Sequence, residues 1–270
     1  MTFLWLVIFV HVIVDFVLQT DKIAKSKSRM EWQGYFKHGL ALFACTFLVT
    51  HFYGLNIALE FSVLSTAIHL IFDFVKILVM RKATVKWFSL WGFLVDQAFH
   101  IYILVMLWSQ FTLRIDPNII SFYSNLFPII DIPHQLKQQL VQLFSIDRII
   151  VIGIIYLYII FGGAIFVRLA LNCVFPKKIT SLDAGVDLAK FLTEQSGRYI
   201  GILERALILT LVLYNSLPAV AFVLTAKSLA RFRELDSKEF AEYYLIGTLI
   251  SASVAVVGGI LLKSILPLFG

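Results

Sequence analysis

Three short strings inside apolar runs constrain this chain more than anything else in it. His11-Val-Ile-Val-Asp15, His69-Leu-Ile-Phe-Asp73 and Asp96-Gln-Ala-Phe-His100 each place one histidine and one aspartate four residues apart. The first two continue as Asp-Phe-Val, and the third reverses the order. Residues four apart share a helix face and differ in height by about 6 Å. Ionisable groups at membrane depth are costly, so they face a bundle interior or a cavity. Any fold of this chain has to gather these pairs away from lipid.

Composition sets the class. The 270 residues are 60% hydrophobic and 15% charged, with a mean hydropathy of +0.87. That excludes an ordinary soluble domain and points to an all-α, polytopic transmembrane helical bundle. The first run, Phe3 to Gln19, lacks a basic leader and a small-residue cleavage site, so it reads as a mature span and not as a signal peptide. The formal net charge of +6 does not indicate nucleic acid, because no basic stripe with interleaved aromatics occurs. Cys45 and Cys173 have neither metal-ligand nor disulfide spacing and read as packing residues.

A helix needs about 20 apolar residues to cross the hydrocarbon. The candidates number eight: Phe3–Gln19, Tyr35–Tyr53, Ile57–Val79, Phe88–Phe111, Ile149–Cys173, Tyr199–Asn215, Leu217–Leu229 and Tyr243–Leu262. The sixth and seventh are short and meet at Ser216-Leu217-Pro218, so the seventh reads as short or re-entrant. Lys22, Lys25, Lys27, Arg29 and Lys37 follow the first span; Arg81, Lys82 and Lys86 follow the third; Lys177, Lys178, Lys190 and Arg198 follow the fifth; Arg231, Arg233 and Lys238 follow the seventh. The positive-inside rule makes that side cytoplasmic and both termini extracytoplasmic. The chain then divides into a four-span half over 1–114, an extracytoplasmic loop with interfacial segments over 115–147, and a four-span half over 148–270. Residues 181–195 carry Leu182, Val186, Ala189 and Leu192 on one face and read as a cytoplasmic interfacial amphipathic helix.

Under this topology the reversed third pair makes sense. The first and third spans run inward and the fourth runs outward. His11, His69 and His100 then share one layer, and Asp15, Asp73 and Asp96 share a second, one helical turn nearer the cytoplasm. His38, at the start of the second span, completes the site from below. Imidazole and carboxylate without thiolate suit a divalent transition metal, with zinc, iron or manganese the best fits. The ligands are more than one tetrahedral ion takes. Two ions, or one ion with aspartates steadying the histidine rings, both satisfy the pattern. Interhelical hydrogen bonding, a bis-histidine haem and a proton relay are the competing readings. Lys76 shares the face of His69 and can meet an anionic group or snorkel to headgroups; Gln19 and Gln97 are similar candidates for substrate contact. Glu204 and Arg205 lie inside the sixth run, where they contact a substrate headgroup or pair with their surroundings, Lys227 and Glu242 being at hand.

At these residues the chain resembles a bacterial family of integral membrane proteins known as domain of unknown function 3307. The resembling elements are His11-x-x-x-Asp15-Phe-x-x-Gln19-Thr with its basic loop, His38, His69-x-x-x-Asp73, Asp96-Gln-x-x-His100, and Gly197-Arg198 through Arg205. Ala226-Lys227-Ser228 and Glu242-Tyr243 to Gly247-Thr248 resemble it too. The resemblance implies a bacterial inner-membrane location and supplies no activity. No Gly-x-Ser-x-Gly, His-Glu-x-x-His or Walker A string occurs.

The leading expectation is a metal-dependent, hydrolase-like membrane enzyme. Its substrate is a lipid-borne or hydrophobic molecule near the cytoplasmic leaflet, and Asp15, Asp73 or Asp96 serves as general base when off the metal. A divalent-cation or proton-coupled transporter is the alternative, and a structural or signalling membrane partner the next. The expected partners are membrane lipid and substrate, not nucleic acid, with room for a homo-oligomer.

Overall fold

A computed structural model describes residues 1–82, 87–126, 146–175 and 188–269, and every regular element among them is helical. α1 (Thr2–Ile13) runs unbroken into a π-helical turn (Val14–Leu18). There follow α2 (Asp21–Ser28), α3 (Trp32–Thr50), α4 (Leu55–Lys82), α5 (Trp87–Trp108) and α6 (Pro117–Leu126). Then come α7 (Ile146–Leu157), a second π-helical turn (Tyr158–Gly162), α8 (Gly163–Val174), α9 (Leu188–Leu213), α10 (Leu217–Ala230) and α11 (Lys238–Ile265). These elements form two compact units. The first holds α1 to α4, α5 from Gly92, α6, and α7 through Ile154; the second holds the start of α5 through Trp91 and the chain from Ile155 to Leu268.

Four helical stretches are long and apolar enough to cross a membrane: Leu55–Arg81, Trp87–Trp108, Ile146–Val174 and Lys238–Phe269. Thr2–Leu18 and Asp21–Ser28 pass only as a pair bent by 91°, which gives five if the pair is one span. The eight spans read from the sequence are not supported. The expected second span is α3, whose first third carries Gln33, Lys37 and His38. The expected sixth is the end of α9, which carries Glu204 and Arg205. The expected seventh is α10, whose 14 residues rise about 21 Å, short of the ~30 Å hydrocarbon. Of the expected 181–195 helix, residues up to 187 lie outside the described residues. From Leu188 the chain is one helix to Leu213. Of 115–147, residues 127–145 lie outside the described residues, and α6 occupies the start, capped by Asp116 accepting from the Asn118 amide at 2.9 Å.

The long helices have their polarity reversed relative to a soluble bundle. On α4, Leu59, Val63, Ile71, Val75 and Val79 are exposed, while Ser62, Ser65, His69 and Asp73 are buried. On α5, Leu94, Val95 and Met106 are exposed, while Asp96 and His100 are buried. A helix in water turns its apolar stripe inward. Apolar outside and ionisable inside is what lipid demands.

In the first unit α3 packs against α1, α2 and α4. Phe3 meets Tyr53 and Phe61 edge-on, each at 4.9 Å between ring centroids. Val10, Val14 and Leu42 form a buried cluster lined by Cys45. Gly54, at φ +108°, makes the turn from α3 to α4 that a side chain would resist. A Cβ on Gly39 would stand 2.7 Å from Leu70 Cδ1, so the two helices approach closely beside His38. In the second unit Ile208, Val212, Val220, Ala252 and Ala255 pack from α9, α10 and α11.

Candidate metal centre

Six elements of the first unit supply one polar cluster. α1 brings His11, the π turn brings Asp15, α2 brings Lys27, α3 brings His38, α4 brings His69, Asp73 and Lys76, and α5 brings Asp96 and His100. All four histidines, Asp73 and Asp96 are buried. The π turn, closed by the Gln19 amide donating to the Val14 carbonyl at 2.9 Å, adds a residue to the helix at Asp15, and such bulges recur at functional sites. The Asp15 carboxylate lies closer to other helices than to its own neighbour in the string. Its Oδ1 is 3.4 Å from His38 Nε2 and 3.5 Å from His69 Nε2, against 3.8 Å between Oδ2 and His11 Nε2.

The rings of His11, His69 and His100 form one layer, with centroids 5.4 Å (His11–His69), 5.2 Å (His11–His100) and 4.0 Å (His69–His100) apart. His38 joins it, its ring 5.1 Å from that of His69. On the far side of the rings from the aspartates lies a small pocket, where Thr46 and Ser65 face the His11, His69 and His100 rings. On the near side lie the aspartates and then two lysines. Lys76 Nζ is 2.8 Å from Asp96 Oδ2 and 3.4 Å from Asp73 Oδ1. Lys27 Nζ is paired with Asp73 Oδ2 and also donates to Gln19 Oε1 at 2.7 Å.

These distances fit a metal. Ligand atoms about 2.0–2.1 Å from a tetrahedral ion stand about 3.3–3.4 Å from one another. Asp15 Oδ1 stands at that spacing, 3.4 Å from His38 Nε2 and 3.5 Å from His69 Nε2, while the two Nε2 atoms are closer, 2.9 Å apart and within hydrogen-bond distance of each other. His11 Nε2 is the fourth candidate donor. Buried polar groups are normally paired, yet His11 Nε2, Asp15 Oδ1, Asp96 Oδ1 and both His100 nitrogens have no hydrogen bond among the described residues. Three groups of this cluster could each hold an ion: His11, Asp15 and His69; His38, His69 and Asp73; Asp73, Asp96 and His100.

The other candidates divide by unit. Gln19 holds Lys27, and Gln97 donates to Asp96 Oδ2 at 3.3 Å. Glu204 and Arg205 belong to the second unit. Glu204 Oε2 pairs with Lys227 Nζ at 2.5 Å, whereas Glu242 pairs with Lys238 at 4.0 Å. Arg205 donates twice to the Ile160 carbonyl, at 3.2 and 2.8 Å, and to Ser251 Oγ at 3.2 Å. Ile160 lies in the second π turn, where an extra residue frees a carbonyl from the helix ladder. Sequence reasoning missed Lys27, which it assigned to a basic loop. Thr20 caps α2, accepting from the Ile23 amide at 3.4 Å, and Lys27 shares a face with Ile23 and Ala24 while Lys22, Lys25 and Arg29 stay exposed, an inward face that shows only once α2 packs on α3.

Residues 3–128 match DUF3307, described as a protein of unknown function. The DUF3307 match spans every member of the cluster, from His11 to His100, including both lysines. The later elements that carry a resemblance, from Gly197 onward, lie beyond it. No curated protein and no solved structure matches the chain.

Proposed function

We propose that this is a bacterial inner-membrane protein with a divalent-metal centre in its first unit, acting as a hydrolase-like enzyme on a lipid-borne or hydrophobic substrate. The observation that carries the reading is the triangle of Asp15 Oδ1, His38 Nε2 and His69 Nε2, with edges of 2.9, 3.4 and 3.5 Å. Three firm protein donors and a looser fourth direction toward His11 are the donor count of catalytic sites, not of closed structural ones. Nitrogen and oxygen donors favour zinc, iron or manganese. An ion held there would polarise a carbonyl or phosphoryl oxygen. Asp73, 3.6 Å from His69 Nε2 and 3.8 Å from His38 Nε2, steadies both rings. Asp96, with Oδ1 free of hydrogen bonds among the described residues, is the carboxylate proposed to accept a proton. Substrate would enter from the lysine end; the basic residues of α2 and the Arg81 end of α4 support a cytoplasmic location for it by the positive-inside rule.

Elemental mass spectrometry of detergent-purified protein tests the centre. Near-stoichiometric metal in the native chain, lost in Asp15→Ala and His38→Ala, supports it; native protein without metal overturns it. Vesicles of phosphatidylethanolamine and phosphatidylglycerol test the reaction: metal-loaded protein should release a headgroup or acyl chain and Asp15→Ala should not. One arrangement favours transport as a second reading. The Lys27–Asp73 and Lys76–Asp96 pairs set cations against carboxylates that an entering ion would have to displace. Metal-driven uptake by proteoliposomes without lipid turnover would select it.

A further inference from the structure

Asp73, Asp96 and His100 make a second donor set beside the first, with ligand atoms within 4.8 Å of one another. His100 Nδ1 is 3.5 Å from Asp96 Oδ1, and neither atom has a hydrogen bond among the described residues. Two carboxylates and an imidazole aimed at one volume are what a second divalent ion takes. An ammonium is already bonded there. Lys76 Nζ bridges Asp96 Oδ2 at 2.8 Å and Asp73 Oδ1 at 3.4 Å, reaching back one turn along α4 from its own helix.

Charge decides what this bridge means. In the first unit's cluster, Asp15, Asp73 and Asp96 face Lys27 and Lys76, which leaves one net negative charge. One divalent ion at the Asp15 triangle turns that to one net positive. A second, with both lysines still charged, would raise it to three and sit beside the Lys76 ammonium, where repulsion in a poorly screened interior is severe.

We propose that Lys76 is a resident counter-cation that occupies the second metal position, so the native centre holds one ion, and that removing this lysine opens a second divalent-ion site on Asp73, Asp96 and His100. This rests on the reading of the first site. Lys76 is thus the residue that sets metal number. Its side chain keeps 29% of its surface exposed while its ammonium stays bonded to both carboxylates.

The test counts zinc per chain by elemental mass spectrometry after equilibration of the full-length, detergent-purified protein with zinc. Lys76→Glu is the informative variant, since it adds a ligand and gives a two-ion centre the net charge of the native one-ion centre. The expected counts are one in the native protein, two in Lys76→Glu, and one again in Lys76→Glu combined with Asp96→Asn. Lys76→Met carries the comparison if the glutamate variant fails to fold by size exclusion, and it too should bind more than the native chain. Two ions in the native protein, or no gain in either variant, overturns the proposal. No zinc in the native chain but one in Lys76→Glu would uphold the second site while overturning the first. No zinc in any variant overturns both.

Discussion

Asp15 is the residue on which the cluster turns. One carboxylate lies within 3.8 Å of the Nε2 atoms of three histidines from three helices. Asp15→Asn keeps its size and removes the anionic donor; metal affinity should fall at least tenfold with little change in helix content, checked by competition with a chelating dye and by circular dichroism. Lys27 behaves differently. It is buried against Asp73, so Lys27→Met leaves that buried carboxylate with Lys76, 3.4 Å away, as its remaining lysine and should cost about 1.5–3 kcal/mol, read as a lower melting temperature in detergent. Lys27→Met combined with Asp73→Leu should recover most of that loss, because an apolar pair of similar volume is tolerated. The histidines and aspartates were legible in the sequence because charged residues are rare in apolar runs. Lys27 was not, since one lysine among Lys22, Lys25 and Arg29 shows its inward face only once α2 is known to fold against α3.

At the scale of elements, the approach of α3 to α4 sets the His38–His69 separation. Gly39 sits at that approach, where a Cβ would stand 2.7 Å from Leu70 Cδ1, a terminal methyl that would have to turn aside. Gly39→Val should destabilise by about 1–3 kcal/mol through overpacking and weaken metal binding without touching a ligand. Thermal melts and zinc titration of the same preparation check both. The π turns were invisible in the sequence. Val14–Leu18 carries neither glycine nor proline, and Tyr158–Gly162 runs into the pair Gly162-Gly163, which does not by itself tell a π turn from an α-helical one; such turns occur as single bulges inside α-helices. Each sits where a polar group leaves the helix ladder: Asp15 in the first, and the Ile160 carbonyl that receives Arg205 in the second.

For the whole molecule, topology follows from whether α3, α9 and α10 cross the bilayer. Five spans put the termini on opposite faces. If α3 also crosses, the termini share a face, and an α9–α10 hairpin leaves that unchanged whether or not it spans. The arrangement of basic loops predicts both termini outside. A reporter active only outside the cytoplasm should therefore give signal when fused to either end, and signal at one end alone would favour five spans.

The sequence by itself determined that the chain is helical, apolar on its outer faces, and equipped with His/Asp pairs one turn apart, because periodicity and the cost of charge in lipid act locally. It did not determine the number of crossings, since hydropathy treats α3, α9 and α10 as uniform runs although polar side chains or short length set them apart. It also could not choose which donors meet. Only the tertiary structure set Asp15 against His38 and His69, and put Lys76 between Asp73 and Asp96, because those distances depend on how closely helices approach and on a π turn that packing sustains.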